Sequence, residues 1–126
     1  MLVDDEADIR EGVAFCLRSQ GHLVVEAENG LVALRALASR TAFRLVVLDL
    51  TMPVMDGPTF LVRKAKGEHA DLPVVIFSSS SCTGLEGLAG VVAVVAKTQG
   101  IEVLLAAIGR ADRATPPYAP VGRSRG

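Results

Sequence analysis

Over the first 111 residues, short apolar runs alternate with stretches in which apolar residues recur every three or four positions. The runs Leu2-Val3, Leu23 to Val25, Leu45 to Leu48, Val74 to Phe77 and Val91 to Val95 are brief and rich in valine, and they predict five strands. Between the first two, Ile9, Val13, Cys16 and Leu17 share one face of a helix that Gly21 ends. Leu31, Leu34, Leu37 and Ala38 repeat that spacing after the turn signal Asn29-Gly30. A third helix is expected from Pro58, whose fixed φ suits a first turn, through Phe60, Leu61 and Ala65 to about Lys66, with Arg63, Lys64 and Lys66 on its exposed face. Just ahead of it, Asp56-Gly57 reads as a tight turn following Met52-Pro53.

The segment SSSSCTGLEGLAG between the fourth and fifth runs contains Gly84, Gly87 and Gly90. Each glycine costs a helix roughly 1 kcal/mol relative to alanine, so a fourth helix there should be short and weak. A fifth helix is expected from Ile101 to about Ala111, burying Val103, Leu104, Ala107 and Ile108. Residues 112–126, with Pro116, Pro117, Pro120 and terminal Arg and Gly, read as a disordered tail or the start of a linker. Five strands alternating with helices predict an α/β domain: a three-layer, doubly wound (βα)5 parallel sheet joined by right-handed crossovers. In such sheets chemistry gathers at the carboxyl ends of the strands.

Composition narrows this further. A chain of 126 residues fits one domain. Half its residues are hydrophobic but only 4% are aromatic, so the core must be aliphatic, which suits strands buried on both faces. The 13 Lys and Arg are scattered among 14 Asp and Glu, leaving no basic stripe, and direct nucleic-acid binding is not expected. No apolar run approaches the ~20 residues of a membrane span, and no secretory leader is recognisable, so a soluble cytoplasmic protein is expected. Cys16 and Cys82 have no CxxC pattern or nearby histidine and read as reduced packing thiols. His22 and His69 sit at loop positions without acidic or cysteine partners, which speaks against catalysis or ligation.

The residues that follow each strand carry the chemistry. Asp4, Asp5 and Glu6 follow the first, Asp49 the third, Ser78 the fourth and Lys97 the fifth, whereas Glu26, Ala27 and Glu28 after the second have no evident role. Carboxylates at close range raise a pKa or recruit a cation. Mg²⁺ suits them because it takes oxygen ligands and keeps several waters. Asp5 and Asp49 would bind it directly and Asp4 through water. Beside a metal a carboxylate can attack phosphorus to give an aspartyl-phosphate. Asp49 is the candidate nucleophile, Lys97 a fixed positive charge, and Ser78 a hydrogen-bond donor to a phosphoryl oxygen.

The segments LVDDE, LVVLDLTMPVMDG, PVVIFSS and VVAK resemble, in order, the four signatures of the response-regulator receiver family of two-component signalling, and the whole is chemotaxis-regulator-like. The resemblance covers roughly residues 1–111 and implies a flavodoxin-like sheet of order 2-1-3-4-5. It also implies roles: Asp4 and Asp5 as the acidic pair, Asp49 as phosphoacceptor, and Thr51 lending its backbone carbonyl to Mg²⁺. Ser78 and Lys97 become the phosphate-sensing switch pair, and Thr51 and Ser80 occupy positions that tune autodephosphorylation. The implied function is acceptance of a phosphoryl group on Asp49 from a histidine kinase or phosphotransfer protein. A conformational switch would then control a downstream protein on the face of the fourth helix and fifth strand. The resemblance implies a monomer or weak dimer with no enzymatic activity beyond self-phosphorylation and autodephosphorylation.

The chain also departs from the family pattern. Only Met1-Leu2-Val3 precedes the acids, a short central strand. Val94 stands where the family has a switch aromatic, and Thr98 stands where proline usually follows the lysine, which predicts a trans bond after Lys97. The gap from Ser78 to Lys97 is also shortened within the Gly-rich segment. These departures make a pseudo-receiver, a phosphorylation-independent interaction module, the main alternative. A dehalogenase-type phosphatase would need a second acid two places past Asp49, where this chain has Thr51.

Overall fold

A computed structural model of the chain describes residues 1–39, 42–79 and 90–114. The Gly-rich segment expected to hold a fourth helix, with Ser80 and Cys82, and the Pro-rich segment 115–126 lie outside the described residues. In chain order the elements are β1 (Leu2–Val3), α1 (Ala7–Ser19), β2 (Glu26–Ala27), α2 (Gly30–Leu37), β3 (Val46–Leu48), α3 (Gly57–Ala65), β4 (Val74–Ser78), β5 (Val91–Ala96) and α4 (Ile101–Ala114). One turn of 3₁₀ helix, Lys97–Gln99, joins β5 to α4. The five strands are parallel, in the order β2-β1-β3-β4-β5, as the alternation and the resemblance predicted.

Successive strand side chains face opposite ways, so the valine-rich strands feed two cores at once. On one side Val46, Leu48, Val74 and Ile76 pack against Ala33 and Leu37 of α2 and Phe60 and Leu61 of α3. On the other, Val47, Val75, Phe77 and Val95 meet Val13, Ala14 and Leu17 of α1 and Leu104, Ala107 and Ile108 of α4. Each of the buried Val, Leu, Ile and Phe side chains contributes roughly 1.5–3 kcal/mol by leaving water. Two covered faces leave only the strand ends open to solvent, which is where the polar residues collect.

Several expectations need correcting. The second strand lies at Glu26–Ala27 rather than Leu23 to Val25, and Leu23 is fully exposed. The edge strand aligns with the polar backbone of short β1: Leu2 donates to the Val25 carbonyl (2.8 Å) and Asp4 to that of Ala27 (3.0 Å). Backbone pairing with β1, rather than side-chain hydrophobicity, therefore sets its position. On α4, Val103 is exposed and Ala111 takes the inward position. That helix also runs three residues beyond Ala111, and Asp112 pairs with Arg44 at 2.7 Å. Asp56-Gly57 is not a free-standing turn. Asp56 caps α3, accepting from the Thr59 backbone N–H at 2.9 Å, and that hydrogen bond, with a further one from the Thr59 side chain, holds its carboxyl below the usual range.

Lys64 is the largest correction. Placed four residues after Phe60, it shares the inward face of α3, and it is 2% exposed. Its Nζ donates to the Ala70 carbonyl at 3.0 Å. Burial pushes its pKa down to about 8, against a smaller opposing pull from Asp71. As expected, the bond after Lys97 is trans, since no cis peptide occurs among the described residues. No described helix is long and apolar enough to cross a membrane.

Two predictions follow from the backbone and from Lys64. Val54, exposed in the loop before α3, has φ of 68°, a left-handed conformation that a β-branched residue adopts only under strain. Val54→Gly should raise the unfolding free energy by about 1 kcal/mol in denaturant titration. Lys64 in the folded state holds its proton less tightly than in the unfolded state, where the pKa is the ordinary 10.5. Between pH 8 and 10.5 the unfolded chain carries the extra proton, so this residue's contribution to stability rises with pH across that window. Relative to Lys64→Met, the wild type should gain up to about 3 kcal/mol from pH 8 to 10.5. A constant difference between the two proteins would show that the folded state does not depress this lysine.

Candidate functional site

The strand register brings the polar residues together. Val3 pairs with Leu48, so the next residues, Asp4 and Asp49, leave adjacent strands side by side, and the Asp49 N–H donates to the Val3 carbonyl at 2.9 Å. Both carboxylates are buried at 3% exposure, and Asp5 beside them is exposed. Asp4, Asp5 and Asp49 each offer an oxygen within 4.8 Å of the others. Ser78, fully buried at the end of β4, pairs in register with Ala96, which places Lys97 one residue beyond it.

Lys97 reaches into the acids. Its Nζ lies 2.7 Å from Glu6 Oε1, 2.9 Å from Asp4 Oδ2 and 3.5 Å from Asp49 Oδ2. Burial alone would weaken its hold on the proton. Hydrogen bonds to Glu6 and Asp4 and the charges of Asp4 and Asp49 outweigh that, and its pKa lies above the ordinary lysine range. Asp4 shifts upward, chiefly because it is desolvated and also because Asp49 is near, although the Glu6 N–H (2.9 Å) and Lys97 oppose the shift. The 3₁₀ turn that carries Lys97 is closed by Gln99, whose Oε1 accepts from the Ala96 N–H at 2.8 Å.

Three contributors were not visible in the sequence. Arg10 donates to the Asp4 carbonyl (2.8 Å) and to Glu26 (3.1 Å), which gives the first residue of β2 a supporting role. Glu26 also pairs with Arg18 at 3.2 Å. Gly57 backs the site closely: a Cβ there would lie 2.6 Å from Leu50 Cα and 2.7 Å from the Asp49 carbonyl. Its own N–H donates to the Leu50 carbonyl at 2.9 Å, which ties the start of α3 to the segment following Asp49. The Arg10 contact had only a helix-face spacing as a signal, and the Gly57 contact had none.

Thr51 is exposed, with its N–H 3.4 Å from Asp49 Oδ1. Val94 is half-buried against the core shared with α2 and α3. Ser80 lies outside the described residues. A buried acid pair under an ammonium, with a third exposed acid beside it, can hold a hard divalent cation and present one carboxylate as a nucleophile. The exposed position of Asp5 leaves room for the water molecules such a cation keeps.

A sequence model of the response regulator receiver domain matches residues 1–109. The chain belongs to the response-regulator receiver family. Among curated relatives, the receiver is 38% identical over 79 residues to sensor kinase CckA of Brucella abortus, covering 62% of this chain and 8% of that protein. It is 37% identical to response regulator RR06 of Streptococcus pneumoniae, covering 63% of this chain and 35% of that protein. The chain thus spans only a fraction of the length of these relatives. Among solved structures, the receiver domain of NtrX from Brucella abortus is 32% identical with a TM-score of 0.74, over 90% of this chain and 98% of that one. The receiver domain of the Francisella response regulator 1452 shares the fold at a TM-score of 0.80 and 24% identity, over 91% of this chain and 96% of that one.

Gly57→Ala should destabilise the receiver by about 1–3 kcal/mol, because the added methyl would press on the backbone of Asp49 and Leu50 as well as on the Leu50 side chain. Gly12→Ala, where a Cβ meets nothing within 4 Å inside α1, should instead stabilise it by roughly 0.5–1 kcal/mol. Urea unfolding of the two variants tests the contrast, and equal effects would refute the close packing behind Asp49.

Proposed function

We propose that this receiver accepts a phosphoryl group on Asp49 from the phosphohistidine of a histidine kinase or phosphotransfer protein, in a Mg²⁺-dependent reaction. The observation that carries this reading is the convergence of Asp4, Asp5 and Asp49 oxygens within 4.8 Å beneath the Lys97 ammonium. Asp5 and Asp49 would hold the metal directly, Asp4 through water, with the Thr51 carbonyl completing the set. The metal supplies neutralisation of the charge that gathers on the transferring phosphoryl group.

The chain's own residues do the rest. Asp49 attacks phosphorus in line; its carboxylate oxygen forms the new P–O bond as the P–N bond to the donor imidazole breaks and that nitrogen takes a proton. Lys97 offers a fixed cation to the phosphoryl oxygens. The phosphoryl group of the aspartyl-phosphate carries about −1.5 to −2 charges, which draws the Ser78 hydroxyl towards it from the end of β4. Thr51 and Ser80, small residues two places past Asp49 and Ser78 in the chain, would tune the lifetime of the phosphoryl group. Val94 offers no ring to couple these events to β5, so a downstream protein partner would be reached through the face of β5 by another route. The reading places the receiver in the cytoplasm, with no catalytic turnover of other molecules and no direct contact with nucleic acid.

Incubation with Mg²⁺ and acetyl phosphate should add a single phosphoryl mass that is absent from Asp49→Asn and from samples treated with a chelator. A wild-type chain that gains no mass while remaining folded would dispose of the mechanism and leave an interaction module in its place.

A further inference from the structure

The shortest contact of Lys97 is with Glu6, not with either buried aspartate. Glu6 is the N-cap residue of α1, and its side chain, one methylene longer than that of the usual acidic cap, makes no capping hydrogen bond. Its carboxylate, 54% exposed, instead turns to the Lys97 ammonium, whose side chain is only 10% exposed. It lies outside the group of Asp4, Asp5 and Asp49 that converges on one point.

A divalent cation entering among those three carboxylates repels the ammonium that already sits against two of them. The ammonium must withdraw from Asp4 and Asp49 without leaving the site, since the phosphoryl group later needs it. Glu6 is the one partner of Lys97, among those described, that stands outside the three-acid cluster and therefore stays available. We propose that Glu6 is a positioning residue for the phosphotransfer site: it draws Lys97 off the metal-binding carboxylates when Mg²⁺ binds and keeps it poised for the phosphoryl group. This rests on the metal-dependent receiver reading above.

Calorimetric Mg²⁺ titration of the wild type, Glu6→Gln, Lys97→Met and the double variant tests it. Glu6→Gln should weaken Mg²⁺ binding roughly threefold or more while Lys97 is present, the scale of a partly exposed ion pair. In the Lys97→Met background the same change should shrink to less than about twofold, because there is no ammonium left to move. Equal weakening in both backgrounds would mean that Glu6 acts only as a remote charge, and no weakening in either would mean that it does not act at all; each overturns the proposal. If Lys97→Met fails to fold, the Lys97 ammonium resonance in ¹⁵N NMR decides the matter. A protected signal should persist in the Mg²⁺-bound wild type and be lost in Mg²⁺-bound Glu6→Gln, and identical signals refute the role. Failure of the wild type to bind Mg²⁺ at all would remove the receiver mechanism together with this role, whereas wild-type binding with an unaffected Glu6→Gln removes this role alone.

Discussion

Two carboxylates at 3% exposure, Asp4 and Asp49, end adjacent strands of the sheet, and the ammonium of Lys97 reaches both from the end of β5. Buried like charges are costly unless paired, and removing one partner of such a group leaves the others uncompensated. This contact therefore joins the first, third and fifth strands at their carboxyl ends, across a sheet whose interior is otherwise aliphatic. The acids that would be a liability without Lys97 form, with it, a charge-compensated cluster at the strand ends.

The surroundings serve that arrangement. Arg10 fixes the Asp4 backbone from α1, Gln99 closes the turn bearing Lys97, and Gly57 lets the start of α3 lie directly on the backbone of Asp49 and Leu50. Polar groups are supported by backbone hydrogen bonds from rigid elements, and such support fixes a site more firmly than loops can. Two turns further along the inward face of the same helix, Lys64 extends the theme: a long aliphatic stem in the core and a head that donates to the Ala70 carbonyl.

Strand alternation and the residues at strand ends were legible in the sequence because both are local. A valine-rich run buried on two faces has few other interpretations, and Asp4, Asp5, Asp49, Ser78 and Lys97 were found by their positions after such runs. The misreadings arose where side-chain polarity was taken as the local guide. Leu23 to Val25 is the most apolar stretch near the second strand, but the strand formed at Glu26–Ala27 because its position answers to the backbone of β1. Lys64 was assigned to solvent by its charge, although its spacing from Phe60 points inward.

By itself the sequence determined the α/β alternation, the parallel sheet and the identity of the acids, the serine and the lysine at the strand ends, since these follow from hydrophobic period and chain order. Only the tertiary structure decided which partners those groups have. Strand register places Asp4 beside Asp49. The turn after β5 sets Lys97 closer to Glu6 than to Asp49, and a helix start lies close enough to Asp49 that only glycine fits there. Such pairings join residues as far apart in the chain as Glu6 and Lys97, and their geometry depends on how the layers pack, which no local pattern encodes.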